Sequence, residues 1–310
     1  MERKVIVILG PTCSGKTSLG ILLAQKLNGE IISADSRQIY KDLNIGTAKP
    51  SKEELKNTKH HLINFLDMEE NYNASKFEQD SIKICRNLFK KNKIPIVVGG
   101  SGLYIKALVD GIIDSAEIDE EYRKKLLKFK EEFGNEFLHN KLKKVDIISA
   151  EKIHPAFWKR VIRALEVYHL TGKPIWQHHN EQKKRKINFQ FSQRGLKWER
   201  EILYKNIEFR VDEMIENGLV EEVKILISKG FNKNINSLNT VGYKEIFSYL
   251  DGEISLGKAI ELIKRNTRRF AKRQFTWFTA DDRIVWHNIE SQKDLNKIAD
   301  EIIRREGLNG

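Results

Sequence analysis

Apolar and polar positions along this chain alternate between short continuous apolar runs and helical repeats. Val5-Ile6-Val7-Ile8-Leu9 is an unbroken run rich in β-branched residues, the pattern of a parallel strand buried on both faces. Residues 18–27 then carry apolar side chains at helical spacing. Residues 30–34 read as a second strand, and residues 76–92 as an amphipathic helix with Phe77, Ile82, Ile84, Leu88 and Phe89 toward a core. Residues 94–98 read as a third strand. Residues 41–75 look polar and irregular. From about residue 118 to 186 the pattern is helical and basic. Residues 187–197 resemble a strand returning to the sheet, and the last hundred residues read as mostly helical. Strands alternating with helices predict an α/β fold with a parallel sheet. The change of character predicts a core of residues 1–117 and 187–310 around a helical insert, 118–186.

Chemistry enters at the carboxyl ends of the predicted strands. The first runs into Gly10-Pro11-Thr12-Cys13-Ser14-Gly15-Lys16-Thr17, which fits the phosphate-loop pattern at every fixed position and in the required strand–loop–helix order. Its glycines let backbone N–H groups turn inward on an anion, and the following helix adds its positive end. Lys16 supplies a point charge, and the Thr17 hydroxyl suits a magnesium ion held jointly with the phosphates. Asp35 stands at the end of the second strand, where functional groups gather in open parallel sheets; it is a candidate general base or metal-shell carboxylate, or a cap for the following turn. The third strand ends in Gly99-Gly100-Ser101-Gly102, with no magnesium-binding aspartate of the kind found in nucleotide hydrolases. His60-His61 lacks further ligands at zinc-site spacing.

Composition narrows the class. The 310 residues carry a formal net charge of +12. Residues 120–200 hold 20 Lys and Arg against 10 Asp and Glu, so the excess there is 10; the flanking segments, at 17 against 15 and 18 against 18, are nearly balanced. A concentrated excess, with the bare run Lys183-Lys184-Arg185-Lys186, points to a surface facing a polyanion. Aromatics among the cations of residues 256–278 suit unpaired bases, although at helical spacing most would serve the core. Only Cys13 and Cys85 are present, which excludes a disulfide framework. No apolar run approaches a membrane span, and the start leaves no room for a signal peptide; a cytoplasmic location is expected.

Read together, the phosphate loop, Asp35 to Tyr40, Gly46-Thr47-Ala48-Lys49-Pro50, His60-His61-Leu62, Gly99 to Tyr104, Arg160 to Val167, Thr171 to Pro174, Arg210-Val211-Asp212, Gly218 to Val223, Gly242 to Glu245 and Ala271 to Phe278 occur in the order found in the bacterial tRNA dimethylallyltransferases, which the chain resembles over nearly its whole length. The resemblance implies a P-loop NTPase-like α/β fold, a parallel sheet flanked by helices with a mainly helical inserted domain. It implies transfer of the prenyl group of dimethylallyl diphosphate to N6 of adenosine 37 in tRNA, with Mg2+ as cofactor, by a monomer. It assigns Asp35 as general base, the loop with Lys16, Thr17 and Arg210 to the diphosphate, and Asp35, Ser36, Arg37, Gln38 and Ser101 to the tRNA base. Arg123, Lys159, Arg160, Val161, Ile162, Arg163, Arg273, Gln274 and Trp277 match positions near the anticodon stem-loop. The loop would attract an ATP-binding label from its pattern alone, but ATP is not expected to be needed. Cys13 and Ser101 stand where the family has an alanine and a threonine, swaps that keep size or hydroxyl; in the tRNA-facing insert Ile147 replaces a proline and Ala156-Phe157-Trp158-Lys159 replaces Asn-Asp-x-Gln, changes that leave the chemistry intact. A phosphate-loop kinase or a free-nucleotide prenyltransferase would not need the basic insert, and an inactive RNA-binding protein would not need intact Lys16, Thr17 and Asp35.

Overall fold

The computed structural model describes residues 3–112, 119–182 and 187–307. It divides into two compact units, residues 1–109 with 188–310, and residues 110–187. In chain order the elements are β1 (Lys4–Leu9), α1 (Lys16–Lys26), β2 (Gly29–Ser33), α2 (Lys52–Asn57), β3 (His60–His61), α3 (Ala74–Lys90), β4 (Ile94–Gly99), α4 (Gly102–Asp110), α5 (Glu120–Val145), α6 (Ile147–Lys152), α7 (Trp158–Thr171), α8 (Ile175–Gln182), β5 (Gln190–Trp198), α9 (Arg200–Glu216), α10 (Leu219–Ser228), α11 (Tyr243–Leu250), α12 (Leu256–Phe278), β6 (Val285–Ile289) and α13 (Asp294–Glu306).

In the larger unit six strands pair in the order β3-β2-β4-β1-β5-β6, all parallel. β1 lies inside the sheet, and Val5 to Leu9 have no exposed surface. That placement is why the segment reads as a continuous apolar run: there is no solvent face to alternate with. Because every strand runs the same way, the ends of β1, β2 and β4 share one edge, and Leu9 pairs with Gly99 there. Gly99 is needed at this point, since a side chain would run into the carbonyl of Ala34 at the end of β2.

Two differences from the sequence pattern stand out. β6 was not expected among helices; it is an edge strand of five residues, and only two of its five are buried, too little to stamp a strand pattern. Within residues 41–75 the structure forms α2 and the two-residue β3. α3 matches its amphipathic pattern, with Phe77 and Leu88 buried and Ile82, Ile84 and Phe89 half-buried.

A second core of the larger unit joins the 39–68 segment to α9–α12. Glu222 on α10 fastens it: its carboxylate accepts hydrogen bonds from the N–H groups of Asn44, Ile45 and Gly46 and from the buried Tyr243 hydroxyl. Glu222→Ala strands four donors at once. We expect it to lower stability by on the order of 2–3 kcal/mol in a urea melt, with Glu222→Gln costing less because one acceptor oxygen remains.

The smaller unit is helical, with α5, α6 and α7 sharing a core that includes Leu126, Leu138, Leu142 and Leu165. Asp146, whose usual following proline is Ile147 here, still caps α6 through the Ser149 N–H at 2.9 Å, so the departure leaves the local structure intact. Among the described residues no helix is long and apolar enough to cross a membrane.

Candidate active site

The loop from Gly10 to Gly15 leads into α1. Gly15 sits at φ 86° as the residue before the helix, a left-handed conformation that glycine adopts without strain. Cys13 also has a positive φ, 62°, and is buried. The first turn of α1 holds no acidic residue, so its positive end is left uncompensated toward the cavity.

Lys16 Nζ donates to the Pro11 carbonyl at 2.6 Å. Burial, and after it the positive charge of Arg210, together lower its pKa to about 8, against the opposing pull of Cys13 and Asp35. Lys16 and Thr17 line a cavity of about 100 Å³ together with Asp35, Gln38, His60 and Arg210. A second cavity of about 500 Å³ is lined by Asp35, Ser36, Arg37, Ser101, Arg269 and Arg273, among others. Seven residues border both: Thr12, Asp35, Thr47, Ala48, Arg210, Phe270 and Gln274. The sequence-predicted base and the predicted diphosphate arginine therefore stand on the wall between a phosphate-loop chamber and a larger, cation-rich one.

The neighbours of Asp35 are fixed by backbone contacts. Its Oδ1 accepts from the N–H groups of Arg37, 2.8 Å, and Gln38, 3.3 Å. The Ser36 N–H donates to Ser101 Oγ at 3.0 Å, and the Ser101 N–H to the Ala34 carbonyl. Asp35 thus serves as a turn cap and lines both cavities.

Several predicted contact residues have duties inside the protein. The Arg37 guanidinium donates to the carbonyls of Asn236, Ser237 and Asn239. The Gln38 amide donates to the carbonyls of Thr47 and Ala48, both at 3.1 Å. Gln274 on α12 clamps the two glycine loops together: its Oε1 accepts from the Thr12 N–H at 2.8 Å, and its Nε2 donates to the Gly100 carbonyl at 3.0 Å. Trp277 lies against Gly102 and remains 42% exposed. Arg273 is exposed, its guanidinium over the Phe270 ring.

In the smaller unit, Val161 and Ile162 are buried at 0% and 4% exposure, so they pack the core and offer a ligand no surface. Lys159 and Arg160 are exposed. Arg123 grips the buried Glu166 with two hydrogen bonds, 2.5 and 2.9 Å, and Arg163 also reaches Glu166. Lys183-Lys184-Arg185-Lys186 lies outside the described residues.

Sequence reasoning did not single out Phe270; it treated the aromatics of residues 256–278 as a group, most of them toward the core. The buried positions of α12 are Ala259, Ile263, Ala271, Gln274 and Phe278. Phe270 falls beside that stripe, and it is 41% exposed on both cavities. Plotting the helical repeat residue by residue would have separated it.

A model described as IPP transferase matches residues 38–281. The chain belongs to the IPP transferase family. A tRNA dimethylallyltransferase of Acetivibrio thermocellus is 50% identical over 95% of this chain and 94% of its own length. The crystal structure of the tRNA isopentenylpyrophosphate transferase of Bacillus halodurans is 38% identical, with a TM-score of 0.72 over 98% of this chain and 96% of that one. A eukaryotic dimethylallyltransferase captured acting on tRNA is 34% identical, with a TM-score of 0.81 over 98% of this chain and 78% of its own. Membership of this enzyme family makes the chain a prenyltransferase with the P-loop NTPase-like fold of its relatives.

His60 and His61 serve the backbone and a carboxylate. His60 Nδ1 meets the Thr58 carbonyl at 2.8 Å, and His61 Nε2 meets Glu30 at 2.6 Å. Among the described residues no three His, Cys, Asp or Glu side chains gather at a metal site.

Proposed function

We propose that this protein transfers the dimethylallyl group of dimethylallyl diphosphate to N6 of adenosine 37 of tRNA. The observation that carries the reading is the shared wall: Asp35 and Arg210 border both the chamber beside Lys16 and the larger chamber beside Ser101. One chamber would take the diphosphate and the other the adenine, so the carbon to be transferred and its acceptor nitrogen meet at Asp35.

The N6 lone pair forms the N–C1 bond as the C1–oxygen bond breaks, and the electron pair leaves with the diphosphate. Asp35 takes the proton released by N6. Its Oδ1 is fixed by two N–H groups, which holds the carboxylate in place for that transfer. Lys16, Arg210 and the start of α1 stabilise the charge that grows on the diphosphate. Arg37 and Gln38, tied to neighbouring carbonyls, hold the base-binding turn, while Arg269 and Arg273 offer positive charge to the RNA backbone. A magnesium ion fits beside Thr17: its hydroxyl is a hard oxygen donor on the cavity wall, and diphosphate and water would supply the remaining ligands. When bound, the ion neutralises charge on the leaving diphosphate. An adenosine next to an anticodon must leave its stack to enter, which costs a few kcal/mol that contacts along the stem-loop offset.

The test is transfer of label from radioactive dimethylallyl diphosphate, with magnesium and without ATP, to an anticodon stem-loop carrying A36-A37-A38. We expect label in the RNA, lost when A37 is changed. Label on free AMP but none on the RNA would replace tRNA by a nucleotide as acceptor.

A further inference from the structure

Ala156-Phe157-Trp158-Lys159 spans the junction between a short turn and the start of α7, and it builds an aromatic and cationic corner. Pro155–Phe157 forms a single 3₁₀ turn that leads directly into α7. It leaves Phe157 54% exposed. The Arg160 guanidinium lies 5.1 Å from the centre of that ring. The adjacent Trp158 ring, half-buried, carries Lys130 at 5.0 Å and Lys159 at 5.4 Å. Among the described residues Lys130, Lys159 and Arg160 make no ion pair or hydrogen bond; aromatic faces are their only partners.

Neither stability nor solubility explains this corner. An exposed phenylalanine gains little from folding. Lys159 and Arg160 stand in the first turn of α7, where the helix dipole disfavours cations, and no side chain caps that end. A ring backed by a guanidinium, beside two further cations, is instead the arrangement that takes an unpaired base on the ring and its phosphates on the cations. The positive excess of the surrounding sequence fits a polyanion over an apolar protein partner.

We propose that the Phe157–Arg160 corner of the smaller unit is a stacking contact for an unpaired nucleotide of the RNA substrate, with Lys130 and Lys159 meeting the flanking phosphates. This rests on the tRNA reading of the site above. Phe157 would give this chain a grip that does not depend on the identity of the base, since every base has a face to stack.

The experiment measures binding of the anticodon stem-loop by the full-length protein at several salt concentrations, alongside the transfer assay. Phe157→Ala should raise Kd about tenfold. Its slope of log affinity against log salt should match the wild type, because no charge is lost. Phe157→Tyr should bind as the wild type does. Lys159→Ala should weaken binding and reduce the slope by about 0.7–0.9. In steady state Phe157→Ala should raise KM for the RNA more than it lowers kcat. Phe157→Leu decides between a ring and mere apolar bulk: binding equal to wild type would overturn stacking. Unchanged binding by Phe157→Ala would also overturn it, as would a change in oligomeric state, which would make the ring a protein contact. If the wild type transfers label to RNA and Phe157→Ala binds normally, stacking alone falls. If the wild type neither binds nor labels the RNA, the tRNA reading falls and takes the stacking with it.

Discussion

Replacing Asp35 by Asn will lower kcat for prenyl transfer by about 10²- to 10⁴-fold and leave RNA affinity near that of the wild type. The range is that of a lost general base. Asn is the informative change because it separates the observed cap from the proposed base. Asp35 Oδ1 accepts from the N–H groups of Arg37 and Gln38, and an amide oxygen keeps both bonds while giving up the ability to take a proton. Asp35→Ala removes the cap as well, which frees a turn whose Arg37 and Gln38 side chains hold the 236–239 and 47–48 backbone. A larger defect in Ala than in Asn therefore measures the cap, and the defect in Asn measures the base. Transfer by Asp35→Asn within tenfold of wild type would remove Asp35 from the proton's path. An equal loss of kcat and RNA binding would make it a structural residue alone.

The position of Asp35 shows where the sequence was readable. The strand before the phosphate loop is buried on both faces and the loop demands fixed residue types, so residues 4–17 announce both fold and chemistry. Asp35 and Ser101 come together at one cavity because parallel strands deliver their carboxyl ends to one edge. What the sequence could not show is how a polar side chain spends its hydrogen bonds. Gln274 sits in a family segment placed near RNA, yet both ends of its amide clamp backbone at Thr12 and Gly100. Arg123 sits in a basic helix, yet it is paired with Glu166, a buried carboxylate 43 residues away in the chain. Charge counts treat such an arginine like the exposed Lys159. Val161 and Ile162 fail more simply: a contiguous segment was carried over whole, whereas a helix turns half of any such segment toward its core. β6 escaped because a short edge strand with two buried residues leaves almost no periodic signal.

The diphosphate end of the site will show itself through pH. Burial, with Arg210 alongside, holds the Lys16 pKa down at about 8, well below the usual value for lysine. Below that pH Lys16 is charged and the chamber is ready for a polyanion; above it the free protein loses the charge, and binding must take up a proton to restore it. Affinity for inorganic diphosphate should then be flat below about pH 8 and fall by up to tenfold per unit above it, beyond any change from the ligand's own ionisation. Calorimetry in two buffers of different ionisation heat will report the proton uptake. Lys16→Arg separates the two contributions, because a guanidinium stays charged throughout: its affinity should lack the break, and the difference between the two proteins belongs to Lys16. Lys16→Met, which keeps the stem and removes the charge at every pH, should weaken diphosphate binding by about 30- to 10³-fold at pH 7, the range for deleting one partner of a buried charged contact. A pH profile shared by all three proteins would mean that the charge meeting the diphosphate is not on Lys16, and would shift that role to Arg210, which lines the same chamber.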